Sequence, residues 1–380
     1  MIKDYDLIER RSTRYKIINY LITAFFIHGF VFFLMPNEIY NLNSPLRYIK
    51  YPILALTLII VLNKCKPIEI VKYIVSAIIL FSINFIAVGN NFSLISLFTY
   101  VIPLSIFFFY DGLAKYLNAK KIAAITYIFA TIFGYYEFFF LGGVFSRFSS
   151  SGYRIVSIFV NPNNFAITMV ILTTYILRYK LERWKLMVLL LNSSILIFLS
   201  GSKTALLVFV LINILYLIHN TIALMIKNHL IRISTLLYTI FFSLLSFIVI
   251  FFLRTGIKSY MDSLLKQTRS FDTLFFSAGA RFNQYSNFFD TYNLVFPWRN
   301  FINYTDNIYL HIWGMFGIGI FILFLGFNVY LLFITILRKK THYSFLLIVF
   351  LVSGLSTNVL YIWSISYMYW YLIGTLTKKH

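Results

Sequence analysis

Four groups of polar residues, each at the edge of an apolar run, carry the side chains that could do chemistry. Arg147 and Arg154 precede the segment NPNNFA at Asn161–Ala166. Pro162 suits a first helical position, where the missing N–H has no partner to lose, and Asn161 is placed to cap that helix. A helix N-terminus beside guanidinium groups makes an anion site, although a capped helix with arginines reaching lipid headgroups would use the same residues. Ser200–Leu207 reads SGSKTALL: Lys203 opens a helix, and Gly201 and Ser202 let a backbone or a phosphate come close. A plain hairpin turn could also look like this. Arg281 stands in SAGARFNQYSNFF, and Thr305–Phe321 reads TDNIYLHIWGMFGIGIF. There Asp306 and Asn307 sit at the mouth of an apolar run, with His311 over a turn deeper and Gly314, Gly317 and Gly319 suited to close helix packing. Asp306 could equally cap the helix. Glu137 lies inside an apolar run, where a carboxylate either serves a site or pairs with a structural arginine. Taken together, the arginines and Lys203 offer charge for a phosphate, and Asp306, Glu137 and His311 offer places for a proton.

The elements that must position these groups are membrane helices. The chain is 60% hydrophobic and 20% aromatic, with only 12% charged residues. Its apolar runs approach the ~20 residues that cross a bilayer as a helix. Backbone groups in lipid must bond within their own segment, so repeated runs of this kind mean a helical bundle. The net charge of +21 comes from Lys and Arg clustered in short loops between spans. That is the positive-inside pattern and not a nucleic-acid surface. One cysteine excludes a disulfide framework, and six scattered histidines give no metal-ligand spacing.

The expected spans are Ile17–Met35, Ile49–Leu62, Ile68–Val88, Phe92–Tyr110, Ile122–Leu141, Ile158–Leu177, Leu186–Leu199, Thr204–Ile218, Ile233–Leu253, Ile308–Leu337, Phe345–Leu355 and Leu360–Leu376. With about twelve spans every basic cluster falls on one side and both termini are cytoplasmic. Residues 1–253 then form a first bundle, 254–306 a large extracytoplasmic loop, and 307–380 a second bundle. The loop carries six basic and four acidic residues. In it Ile257, Tyr260, Met261, Leu264 and Leu265, and then Phe282, Tyr285, Phe288, Phe289 and Tyr292, recur at helical spacing. Such amphipathic helices suit the outer membrane surface, as a lid that closes a site without containing it.

Taken in order, an arginine before NPN-F-A, the S-G-S-K-T-A-L hairpin, an arginine in the large loop and D-N-x-Y-L before G-x-x-G resemble the O-antigen polymerase and O-antigen ligase (Wzy/WaaL) superfamily. The match runs from Arg147 to Phe321. The resemblance implies an all-α polytopic fold of the GT-C kind in the bacterial inner membrane. It also implies catalysis on the extracytoplasmic face and undecaprenyl-pyrophosphate-linked oligosaccharide as substrate. A polymerase moves the growing glycan onto the non-reducing end of another lipid-linked repeat; a ligase moves it to lipid A-core. Ligases carry a histidine where this chain has Asp306, which favours the polymerase. The resemblance further implies a chain-length regulator protein as partner.

On this reading Arg147, Arg154, Lys203 and Arg281 stabilise the leaving pyrophosphate without metal or other cofactor, helped by Asn161, Asn163, Ser202, Asn307 and Tyr309 as substrate contacts. Asp306 is the expected base, with Glu137 and His311 behind it, and direct displacement at C1 inverts the anomeric centre. A ligase, a multi-span transporter of lipid-linked glycans and a non-catalytic membrane partner are the alternatives.

Overall fold

The computed structural model describes residues 13–31, 49–62, 65–141, 154–159, 161–179, 181–227, 288, 295–298, 306–360 and 362–378. Among them helix is the dominant regular structure and no strand occurs. The first helices are α1 (Thr13–Ile27), α2 (Lys50–Leu62), α3 (Pro67–Val88), α4 (Leu94–Phe108), the short α5 (Tyr110–Ala114) and α6 (Ala119–Tyr136). They are followed by α7 (Pro162–Ile176), α8 (Arg183–Leu199) and α9 (Lys203–Lys227), then by α10 (Ile308–Leu337), α11 (Thr341–Gly354) and α12 (Trp363–Thr377). Among the described residues three stretches are long and apolar enough to cross a membrane: Pro67–Val88, Ala119–Phe140 and Ile308–Leu337. The surface agrees with that reading. α3 turns Ile68, Val71, Ile74, Val75 and Ile78 outward and buries Asn84, Ala87 and Val88. A continuous exposed apolar stripe on a long helix is a lipid-facing surface.

The helices fall into two compact units. One holds α1–α5, the start of α6 and α10–α12; the other holds the rest of α6 with α7–α9. This division cuts across the sequence-based one at 253 and 306, because α12 packs on α4 and α10 on α3 across most of the chain length. The expected span Ile233–Leu253 lies outside the described residues, as do both amphipathic stretches of the large loop apart from Phe288. The sixth expected span begins late. Residues 157–159 form a 3-10 turn, and the helix starts only at Pro162, where Asn161 caps it.

In the first unit the start of α3 is set by its own sequence. Pro67 occupies the first turn, and Glu69 accepts a hydrogen bond from the Lys66 N–H at 3.3 Å. Glu69 also meets Lys378 at 3.6 Å, and Lys378 reaches Asp111 at 3.5 Å while donating to the Phe108 carbonyl at 2.8 Å. The start of α3, the end of α4 and the end of α12 therefore lie at one end of this unit. These are three of the ends that the loop charges assign to the cytoplasm.

Cys65, between α2 and α3, is held near the same cluster. Burial, and then the Glu69 carboxylate, push its thiol up to about 11. The thiolate is the reactive form, so maleimide labelling at pH 8 is expected to run ~10²-fold slower than for an ordinary thiol and to quicken about tenfold per pH unit. An impermeant maleimide should label this single cysteine only after cells are permeabilised. Labelling of intact cells would reverse the orientation that the loop charges predict.

α10 is broken where the sequence suggests one continuous span. At 1.5 Å per residue its length is ~45 Å, more than the ~30 Å hydrocarbon core. Gly317 takes φ 81° and ψ 169°, a conformation reserved for glycine. Beyond it Ile318 donates its N–H to the Val295 carbonyl at 3.1 Å, and the Asn84 amide donates to the Met315 carbonyl at 2.6 Å. Backbone groups freed by a break at membrane depth need such partners. The glycines expected to admit a neighbouring helix serve other ends. The Trp298 ring lies where a side chain on Gly314 would project, Phe296 lies 2.7 Å from the equivalent point on Gly317, and Gly319 has nothing within 4 Å among the described residues. Residues 295–298 of the large loop are thus inserted against a transmembrane helix.

Candidate active site

Two of the four polar motifs converge within the second unit. Arg154 donates from Nε to the Ser200 carbonyl at 2.6 Å and from Nη2 to Asn163 Oδ1 at 2.8 Å. It is 5% exposed. One guanidinium thus joins the start of α7 to the turn before α9, whose Ser200 lies 46 residues beyond Arg154. The planar fork of arginine can serve both acceptors at once, which a lysine ammonium does less well. The Ile155 N–H donates to the Leu199 carbonyl at 3.3 Å, so the main chain beside Arg154 is tied to the same turn.

Each partner is held by local structure. Asn161 Oδ1 accepts from the Asn163 and Asn164 N–H groups at 2.9 and 3.3 Å, the cap its position before Pro162 suggests. In the hairpin, Gly201 adopts φ +64°, and a Cβ there would stand 3.1 Å from Arg154 Nε. Glycine is needed twice over at this position, for the left-handed turn and for the arginine lying across it. Ser200 and Ser202 are buried beside it, and Ser202 donates its N–H to Ser200 Oγ at 3.2 Å. Lys203 is exposed at the first residue of α9.

Glu137 sits in the π-helical turn that ends α6 and is fully buried. Its Oε2 accepts from the Val156 and Ser157 N–H groups, both at 2.8 Å. Ser157 has φ +48°, and its hydroxyl donates to the Ala130 carbonyl at 2.8 Å.

In the first unit the mouth of α10 is built differently from expectation. Asn307, not Asp306, caps the helix: its Oδ1 accepts from the Tyr309 and Leu310 N–H groups at 2.8 and 3.2 Å. Asp306 is left exposed next to it. The Asn307 amide donates to the Leu355 carbonyl at 3.0 Å and the Tyr309 hydroxyl to the Leu351 carbonyl at 2.8 Å. Both side chains, expected as substrate contacts, are engaged with the end of α11. His311 is 3% exposed, stacked on Tyr100 with ring centroids 5.8 Å apart and edge-on to Trp298 at 4.8 Å. Arg147 and Arg281 lie outside the described residues.

Sequence reasoning passed over a polar network within the second unit. Tyr127 and Ser193 share a hydrogen bond at 2.9 Å, and Thr173 reaches the same Ser193 hydroxyl at 2.7 Å. Asn192 donates to Tyr127 and Thr131 and accepts from the Tyr135 hydroxyl. The network ties α6, α7 and α8 together where lipid would offer polar groups no partner. Its visible trace is Asn192-Ser193-Ser194 inside the otherwise apolar stretch Leu186–Leu199.

Among the described residues no group of His, Cys, Asp and Glu is arranged to hold a metal ion. What the Arg154 assembly presents is a fixed guanidinium at a helix start, an arrangement suited to an anion. Compared with known proteins, the chain matches no family model and no curated protein.

Proposed function

We propose that this chain is a membrane glycan polymerase of the O-antigen polymerase and ligase superfamily, with a GT-C-like bundle of about twelve spans. The observation that carries the reading is the convergence of Arg154, the NPN helix start and the SGSK turn, brought together by bonds of 2.6 and 2.8 Å. These were motifs related only by their order in the sequence, and their meeting around one guanidinium is what a shared phosphate site needs.

In this reaction the acceptor hydroxyl attacks C1 of the donor glycan, and the bond from C1 to the pyrophosphate oxygen breaks. The electron pair leaves with undecaprenyl pyrophosphate, and the acceptor proton passes to a base, for which exposed Asp306 is the candidate. Guanidinium groups stabilise the charge that grows on the leaving oxygen. One inversion accompanies each transfer. An extracytoplasmic site in the bacterial inner membrane and cytoplasmic termini belong to the same proposal.

Purified protein in detergent should convert a lipid-linked repeat unit into a ladder of longer lipid-linked products. The ladder should persist in EDTA and disappear in Arg281→Ala. A wild-type protein that yields no ladder with or without divalent metal would remove the polymerase reading. A strict magnesium requirement would remove the guanidinium-only account of leaving-group stabilisation. Transfer to lipid A-core in place of ladder formation would turn the assignment to a ligase.

A further inference from the structure

We propose that Glu137 is a positioning residue, whose carboxylate holds the turn at Val156 and Ser157 and so sets Arg154 for the donor pyrophosphate. The inference rests on the polymerase reading above and gives Glu137 a role other than the base.

The geometry starts from a strained backbone. Ser157 is one of two non-glycine residues with positive φ among those described. A side-chain-bearing residue in that region is strained and persists only where its surroundings over-determine it. Here they do. The Ser157 N–H is taken by Glu137, its hydroxyl by the Ala130 carbonyl, and the preceding N–H of Val156 by the same carboxylate oxygen. The turn lies three residues after Arg154 and four before Asn161, so it fixes the direction in which the chain leaves the arginine and enters the capped helix.

The carboxylate sits on a second irregular element. It opens the π-helical turn Glu137–Leu141, and π-turns inside helices recur at functional sites. The chain that follows Arg154 is thus bound on two sides. The Ile155 N–H bonds to Leu199 on the hairpin side, and Val156 and Ser157 bond to Glu137 on the α6 side. A carboxylate that accepts two main-chain N–H groups is an anchor with fixed direction. Displacing a substrate-orienting group by ~1 Å can lower a rate ~10²-fold. Glu137 therefore acts through Arg154 with no proton passing through it.

The test is the order of three variants, read by ladder formation and by amide hydrogen exchange at Val156 and Ser157. Glu137→Gln keeps an acceptor oxygen at the same reach and is expected to hold the rate within ~3-fold of wild type. Glu137→Asp keeps the acid but withdraws it by one methylene, and Glu137→Ala removes it. Both are expected to lower the rate ~10²-fold and to speed exchange at the two amides. A general base would give the opposite order, with Asp retaining more activity than Gln, and that result overturns the proposal. Unchanged exchange in Glu137→Ala also overturns it, whatever the rate. If wild type makes no ladder while Glu137→Ala still speeds exchange, the polymerase reading fails and the anchor loses its pyrophosphate role.

Discussion

Arg154→Ala is expected to abolish chain elongation and to weaken the fold of the second unit. The guanidinium supplies hydrogen bonds at 2.6 Å to Ser200 and 2.8 Å to Asn163. Removing it leaves the Ser200 carbonyl and the Asn163 amide oxygen without these donors. Loss of the charged donor to the buried Ser200 carbonyl costs about 1.5–3 kcal/mol, and the half-buried Asn163 oxygen adds less. Removal of one preorganised group that stabilises developing charge lowers turnover ~10²–10³-fold. Lysine should not restore it, because one ammonium cannot span both acceptors as the guanidinium fork does. The measurements are the initial rate of ladder formation and the thermal midpoint in detergent. An Arg154→Lys protein with wild-type stability and wild-type rate would remove Arg154 from the site. A stable but inactive one would separate its chemical role from its structural one.

Trp298→Ala carries the second large expected effect, confined to the first unit. The indole is fully buried, edge-on to His311 at 4.8 Å and seated where Gly314 has no side chain. Truncating a buried tryptophan to alanine costs about 3–5 kcal/mol. Here it also releases the segment whose Val295 carbonyl accepts the Ile318 N–H at the α10 break. Gly314→Ala should be similarly damaging, since the new methyl would occupy the space of the ring. The pair is predicted to be non-additive: Trp298→Phe combined with Gly314→Ala should recover stability relative to Gly314→Ala alone, because the smaller ring makes room for the methyl. Thermal midpoints and limited proteolysis read both. Equal stability of wild type and Gly314→Ala would show that the ring does not occupy this notch in the folded protein.

Much of the local architecture was legible without coordinates. Apolar run length alone located α2, α3, α8 and α11 closely, because a helix in lipid has little choice but to satisfy its own backbone. Asn161 and Pro162 announced the start of α7 through capping chemistry, and the cap forms as expected. Gly201 in SGSK marked a turn, and its φ of +64° is one that glycine adopts readily.

What only the tertiary structure decided is which polar groups face each other. A capping rule allows Asp306 or Asn307 at the mouth of α10, and the choice of Asn307 follows from its second bond, to Leu355 just beyond the end of α11. The spacing of Gly314 and Gly317 announces a close approach but not by what. Trp298 and Phe296 lie distant enough in sequence that no local pattern links them to those glycines. Glu137 reads in sequence as an isolated acid in an apolar run, and its meaning comes from two main-chain N–H groups about 20 residues away. The sequence by itself determined the apolar helical segments, the Asn161 cap and the sign of the charge on each loop, all of which depend on neighbours within a few turns. The site depends on hydrogen bonds between residues far apart in the chain, and those exist only once the helices have packed.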